Sequence, residues 1–380
     1  MVSEIHIFII WECARKKTDE IIVEIRQKFK IHDVYEIIWS HNNFSKNLKR
    51  FYGVTLPNPE KKAKECGKGP FLVVIVADDK PKHGVRGTSM GKQIVNTNMY
   101  NSKILIRGLL GGDYRIHGSI HEKEANHDLT LLLGKNIEQI RQDLPKEWNG
   151  ITKSIKSDLI GTNGWKSLDE SFFVLNNTIN YVVLRNFEEF PDISNIVNDG
   201  DIDLLTDELW QIPSILNFQK QTDEKIPRFC HTKIGSEYVK FDIRYVGDSY
   251  FDEKWSKDIL AKRVLTPGGF YIPNKEDYFF SLIYHINVQK ARLSKKYEQI
   301  LTKLATELGF REFSLEKKNL EIILDNFMER KGYRYTNSWA YKINHNEFTR
   351  LTSVAIHTAK KEGFKELFRV IKEKIKRTIK

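Results

Sequence analysis

Cysteine is scarce in this chain: Cys13, Cys66 and Cys230 are the only three in 380 residues. Thiols so few and so scattered build neither a disulfide framework nor a zinc site. Long apolar runs are missing too, and none nears the roughly 18 residues that a membrane-spanning helix needs. The opening MVSEIHIFIIWECARKK has an apolar stretch with no basic segment before it, so it reads as a strand rather than a signal peptide. Internal repeats and low-complexity tracts are absent. These absences exclude a disulfide-rich secreted domain, an integral membrane protein and a long disordered chain. A cytoplasmic, soluble protein is expected.

What is there is ordinary in amount and uneven in placement. Hydrophobic residues make up 40% and charged residues 29%, as in soluble globular proteins. At roughly 100–200 residues per domain, two or three domains are expected. The net charge is +11, and His285–Lys380 carries all of it, with 22 Lys+Arg against 11 Asp+Glu. A basic C-terminal third attracts nucleic acid, anionic lipid or an anionic substrate, or else forms solvated helix faces. In FKELFRVIKEKIKRTIK, Phe364, Leu367, Phe368, Ile371 and Ile375 follow helical spacing. The acidic residues among its basic ones favour a helix packed on its own protein over a membrane or nucleic-acid binder.

The order of elements is α/β. IHIFIIW, DVYEIIW and GPFLVVIVADD read as strands, and SKILIRG as a short strand or turn. TDEIIVEIRQKF, NFSKNLKRFYG and HEKEANHDLTLLLG read as helices, the second ending at Gly53. Residues 139–168 read as a helical linker between a domain over 1–138 and a second over 169–275. In the second, NYVVLRNF, DIDLLT, RFCHTKIG and SEYVKFDIRYVG are strands, and DELWQIPSILNFQ is a helix. Residues 276–380 form a helical, basic region.

NDGDIDLLTDE carries the strongest chemical signal. Asp201 and Asp203 alternate with Ile202 and Leu204, so on a strand both carboxylates share one face. Two such groups repel unless a cation lies between them. Oxygen ligands of this kind suit Mg²⁺. In VKFDIRYVG, Asp242 lies between Phe241 and Ile243. On an adjacent strand it would complete a divalent-metal site able to clamp nucleotide phosphates. The bland alternative is an acidic turn capping a helix, a role that Asp199, Asp207 and Glu208 would share.

YVVLRNF, GDIDLL and VKFDIRYV together resemble the nucleotidyltransferase-fold superfamily, over roughly residues 165–275. The resemblance implies that Asp201 and Asp203 hold metal and that Asp242 is the third acid. Where that superfamily has a Gly-Gly or Gly-Ser pair, this chain has Arg185-Asn186. Arg185 would then hold phosphate by its side chain. Asp248, Asp252 and Lys254 read as a packed turn, and His285 and Lys290 as core or surface residues.

DYRIHGSIHEKEANHDLTLLLG is the second informative segment. A neutral imidazole held by a carboxylate can accept phosphate as a nucleophile. His117, Ser119 and Asp128, with Arg107 upstream, resemble the active-site stretch of nucleoside diphosphate kinases. That likeness spans roughly residues 4–136 and implies a ferredoxin-like α/β sandwich, an oligomer, and phosphate or nucleotide binding by Arg107, Ser119 and Asp128. The departures are Glu12 or a neighbour where the family has a lysine, Tyr114 for an Asn and Ile120 for an Asp. An anionic Glu12 at a phosphate site opposes turnover. The alternative is a histidine that only hydrogen-bonds locally, as His121 and His127 are expected to do.

The expected activity is Mg²⁺-dependent nucleotidyl or phosphoryl transfer from a nucleotide donor to a sugar-phosphate or glycan acceptor, with surface-polysaccharide biosynthesis as the setting. The alternatives are a non-catalytic nucleotide or RNA binder with degenerate sites, and a phosphohistidine enzyme acting through His117.

Overall fold

The computed structural model describes residues 3–112, 115–192, 197, 200–220, 228–290 and 293–336. The C-terminal amphipathic segment at 364–375, like Tyr114 and Asp199, lies outside them. The architecture is mixed α/β, in two units: Met1–Ile179 with Trp210–Val239, and Asn180–Leu209 with Lys240–Lys380.

The first unit is built on β1 (Glu4–Ile10), β2 (Lys30–Ile38) and β3 (Phe71–Asp78). Its other strands are a hairpin of β4 (His83–Thr88) and β5 (Gly91–Asn96), then β6 (Ile116–Gly118) and β7 (Lys153–Lys156). The main sheet runs β6-β1-β3-β2-β7. Neighbours among the first four of these are antiparallel, and β7 joins β2 in parallel. With α1 (Thr18–Arg26) between β1 and β2, and α4 (Thr97–Leu110) between β3 and β6, this is a ferredoxin-like split β-α-β. Every residue of β3 is buried, as its uninterrupted apolar run requires of a strand covered on both faces. Phe8, Leu72, Val74 and Val76 pack with Ile21 and Ile25 of α1 and Met99 and Ile106 of α4.

Between β2 and β3 come α2 (Phe44–Tyr52) and α3 (Pro59–Cys66). The chain leaves α2 at Gly53 with φ +57°, in line with the expected stop. α5 (Glu122–Leu133), α6 (Ile137–Asp143) and α7 (Leu168–Thr178) follow. Residues 139–168 are therefore no continuous helix: Leu144 leaves α6 in extended backbone, and β7 adds an edge to the sheet. SKILIRG is helical, not a strand. Asn96 caps α4 through Met99 N–H at 3.1 Å, and the run looked strand-like because Ile104 and Leu105 are exposed on the outer face. In DELWQIPSILNFQ only α8 (Ile212–Ile215) is helical. β10 (Gln219–Lys220) and β11 (Phe229–Ile234) pair antiparallel after it.

In the second unit β8 (Tyr181–Val183) runs antiparallel to β9 (Ile202–Thr206). β9 pairs in parallel with β12 (Glu237–Tyr245), whose first residues belong to the other unit. Then come α9 (Glu253–Ala261), the short pair β13 (Val264–Leu265) and β14 (Tyr271–Ile272), and α10 (Lys275–Tyr284). α10 widens into π-helical turns over His285–Lys290, before α11 (Lys295–Glu307) and α12 (Lys317–Lys331). The core is aromatic: Phe280 and Phe327 stack at 3.8 Å, and Trp255 and Tyr333 at 5.5 Å.

Asp158 ties the start of α2 to the loop after β7. It accepts from Ser40 N–H (2.9 Å), Ser40 Oγ (2.7 Å), Asn43 Nδ2 (2.8 Å) and Asn47 Nδ2 (2.7 Å). Burial would raise its pKa, but these donors outweigh it and hold the carboxyl below its usual range. A depressed native pKa adds stability above the ordinary carboxylate range and loses it as the pH falls through the folded value. Asp158→Ala is expected to cost about 2 kcal/mol in urea unfolding at pH 7, with a smaller penalty at pH 3. An equal penalty at both pH values would contradict this role.

Candidate active site

Two clusters hold the chemistry, one in each unit. In the second unit, β9 is buried on both faces, and Asp203 shares with the core residue Leu205 the face opposite Ile202 and Leu204. The parallel pairing sets Asp242 of β12 directly beside Asp203. Asp201 precedes the strand on the same side, half-buried, while Asp203 and Asp242 are buried. One carboxylate oxygen from each of the three lies within 4.8 Å of the others. The structure thus brings together the three acids that the strand pattern singled out.

Two buried arginines answer part of this charge. Arg185, just past β8, donates from Nη2 to Asp203 Oδ1 and from Nη1 to Tyr250 Oη. Arg244, two residues beyond Asp242 on the same face of β12, donates from Nη2 to Asp242 Oδ2 at 3.0 Å. Its guanidinium lies 4.2 Å from the centre of the Tyr250 ring. Behind Tyr250, His285 Nδ1 is 2.7 Å from Gln289 Oε1, and Gln289 Nε2 donates to Tyr250 O at 3.0 Å. The π-helical turns place His285 and Gln289 there.

The two guanidiniums are shared further, since Asp248 Oδ2 lies 3.8 Å from Arg244 Nη1. Burial, opposed by Arg185 and reinforced by Asp201 and Asp242, pushes the Asp203 carboxyl up to about 7. Its Oδ2 is buried and has no hydrogen-bond partner. A hard cation among Asp201, Asp203 and Asp242 would satisfy that oxygen, so the residues fit Mg²⁺. Arg185 departs from expectation. It is 7% exposed and is held by Asp203 and Tyr250, so it orders the cluster instead of reaching out to phosphate. Asp248 and Asp252 form packed turns: Asp248 accepts from Tyr250 N–H at 2.8 Å, and Asp252 caps α9.

In the first unit, His117 on β6 meets Asp128 on α5, Nε2 to Oδ2, at 2.8 Å. His127 Nδ1 lies 3.0 Å from the other oxygen, and Glu124 Oε1 is 3.9 Å from His117 Nε2. Burial would raise the Asp128 pKa, but His117 and His127 together hold it below its usual value. Phe51 and Tyr52 set their ring edges on His117 at 5.6 Å each. Ser119 does not join this group. It is fully buried, and its hydroxyl accepts from Ile7 N–H at 3.0 Å and faces His6 Nδ1 at 3.2 Å. Arg107 lies in the last turn of α4.

Glu12 also differs from expectation. Its carboxylate accepts from Gly69 N–H at 2.6 Å. A Cβ at Gly67 or Gly69 would fall 2.2 or 2.6 Å from that carboxylate, so glycine there lets the loop close over it. Lys62, unremarked in the sequence, is a cation of this region. It is buried, its Nζ is 5.0 Å from the Tyr52 ring centre, and burial lowers its pKa to about 8. Arg107 opposes its charge. The available signal was position: with Ala63 and Cys66, Lys62 lies on the buried face of α3.

Removing Arg185 would leave Asp203 buried beside two like charges. Arg185→Gln is expected to cost about 3 kcal/mol in magnesium-free unfolding at pH 8. Asp201→Asn should be neutral or stabilising under the same conditions, because it removes a repelling charge. Equal destabilisation by both would refute this charge balance.

No family model matches the chain, and no curated protein matches it. Among solved structures, the chain matches the solution structure of the antibiotic-resistance factor ANT(2'')-Ia at 14% identity. The match covers 35% of this chain and 72% of that one, with a TM-score of 0.21.

Proposed function

We propose that the second unit catalyses Mg²⁺-dependent nucleotidyl or phosphoryl transfer from a nucleotide to an acceptor oxygen. The observation that carries this reading is the pairing of Asp203 with Asp242 on parallel strands, with Asp201 in reach and one Asp203 oxygen unsatisfied. Burying like charges side by side is costly for stability alone, so the arrangement favours a cationic ligand. Asp201, Asp203 and Asp242 would hold the ion. When bound, Mg²⁺ neutralises phosphate charge and polarises the phosphorus. Arg185 and Arg244 hold Asp203 and Asp242 in place, and Asp242 is the group assigned to take the acceptor proton. The acceptor class proposed is a sugar phosphate or glycan.

Calorimetric titration of ATP, GTP, CTP and UTP with Mg²⁺ tests this. At least one is expected to bind, with affinity falling about tenfold or more without Mg²⁺ or in Asp201→Ala/Asp203→Ala. Binding indifferent to both the ion and the mutations would sink the proposal.

The His117–Asp128 contact favours a second reading, in which the first unit forms a phosphohistidine. Asp128 holds Nε2, which leaves Nδ1 as the ring atom that can attack phosphorus. Incubation with γ-labelled ATP should leave acid-labile phosphate on the chain, and His117→Ala should abolish it. A chain that takes up no label, or a variant that takes up as much, would exclude this chemistry.

A further inference from the structure

A cleft of about 370 Å³ opens in the second unit. Phe187, Tyr278, Ile300 and Leu304 line it, with Gln299 and Lys303 among its polar groups. Its volume is in the range that holds small ligands. The two aromatic rings lie 4.7 Å apart and are tilted by 41°. Phe187, half-buried and backed by the buried Tyr278, provides a π surface, which a planar heterocycle uses better than an aliphatic chain does. The Gln299 amide offers both a donor and an acceptor, and Lys303 offers a donor. These are the groups that read the edge of a nucleobase.

Position ties the cleft to the acids. Phe187 follows Arg185 by two residues, so their Cα atoms are within about 8 Å. Arg185 is bonded to Asp203. Tyr278 donates to Glu188 Oε1, which fixes the ring against the same segment that leaves β8. We infer that this cleft holds the base of the nucleotide whose phosphates meet Asp201, Asp203 and Asp242. This rests on the transfer reading proposed above.

The test separates the base from the phosphates. Inorganic tripolyphosphate and the four nucleoside triphosphates, each with Mg²⁺, are titrated into the full chain and into Phe187→Leu and Phe187→Tyr. Leucine keeps the apolar volume and removes the ring, and unchanged thermal unfolding confirms that each variant is folded. Phe187→Leu is expected to weaken the bound nucleotide about tenfold and to leave tripolyphosphate unchanged, while Phe187→Tyr retains nucleotide affinity. If Phe187→Leu binds nucleotide as the parent does, or weakens both probes alike, the base-binding role is overturned and the transfer reading stands. If neither probe binds the parent chain, the transfer reading falls and this inference falls with it.

Discussion

Asp203 and Asp242 lie side by side because two strands pair in parallel in one register, and the surroundings answer for that juxtaposition. Desolvated carboxylates in contact repel strongly, and the protein does not hide them from each other. It brings in Arg185 from the end of β8 and Arg244 from β12. Tyr250 then links the two guanidiniums by a hydrogen bond to one and ring contact with the other. The π-helical turns after α10 exist at the point where His285 and Gln289 must reach Tyr250, in keeping with the frequent placement of such turns at functional sites. Compensation stops short of Asp203 Oδ2, which has no hydrogen-bond partner, and the proposed cation would meet that oxygen.

The first unit handles a buried carboxylate differently. Asp128 is flanked by two imidazoles, not two guanidiniums. The second unit's cluster is the one proposed to hold an ion, and the first unit's the one proposed to accept a phosphoryl group. Lys62 stands over the Tyr52 ring, whose edge in turn meets His117, while Glu12 is drawn off into the Gly67–Gly69 loop.

Much of this was legible in the sequence. The uninterrupted apolar run of GPFLVVIVADD could only be a strand covered on both faces, and it became central strand β3. The Asp-Ile-Asp alternation set Asp203 on β9 and Asp201 just before it, on the same side. The eleven-residue offset from His117 to Asp128 was visible too, and the two side chains meet. Local patterns failed where burial on the far side of an element decided its state. SKILIRG read as a strand because the exposed Ile104 and Leu105 filled in the apolar run, yet the Asn96 cap and the buried Met99 and Ile106 make it a helix.

The sequence by itself determined which residues could share a face, because backbone periodicity is local: period two on β9 and β12, and helical spacing on α5. Only the tertiary structure decided which faces meet. The register that sets Asp242 against Asp203, the turn of Arg185 inward to a carboxylate, the withdrawal of Ser119 into the core and the burial of Lys62 all depend on partners distant in sequence. Charge placement inside a protein follows from what desolvates each group and what lies opposite it, and neither is written in the residues on either side.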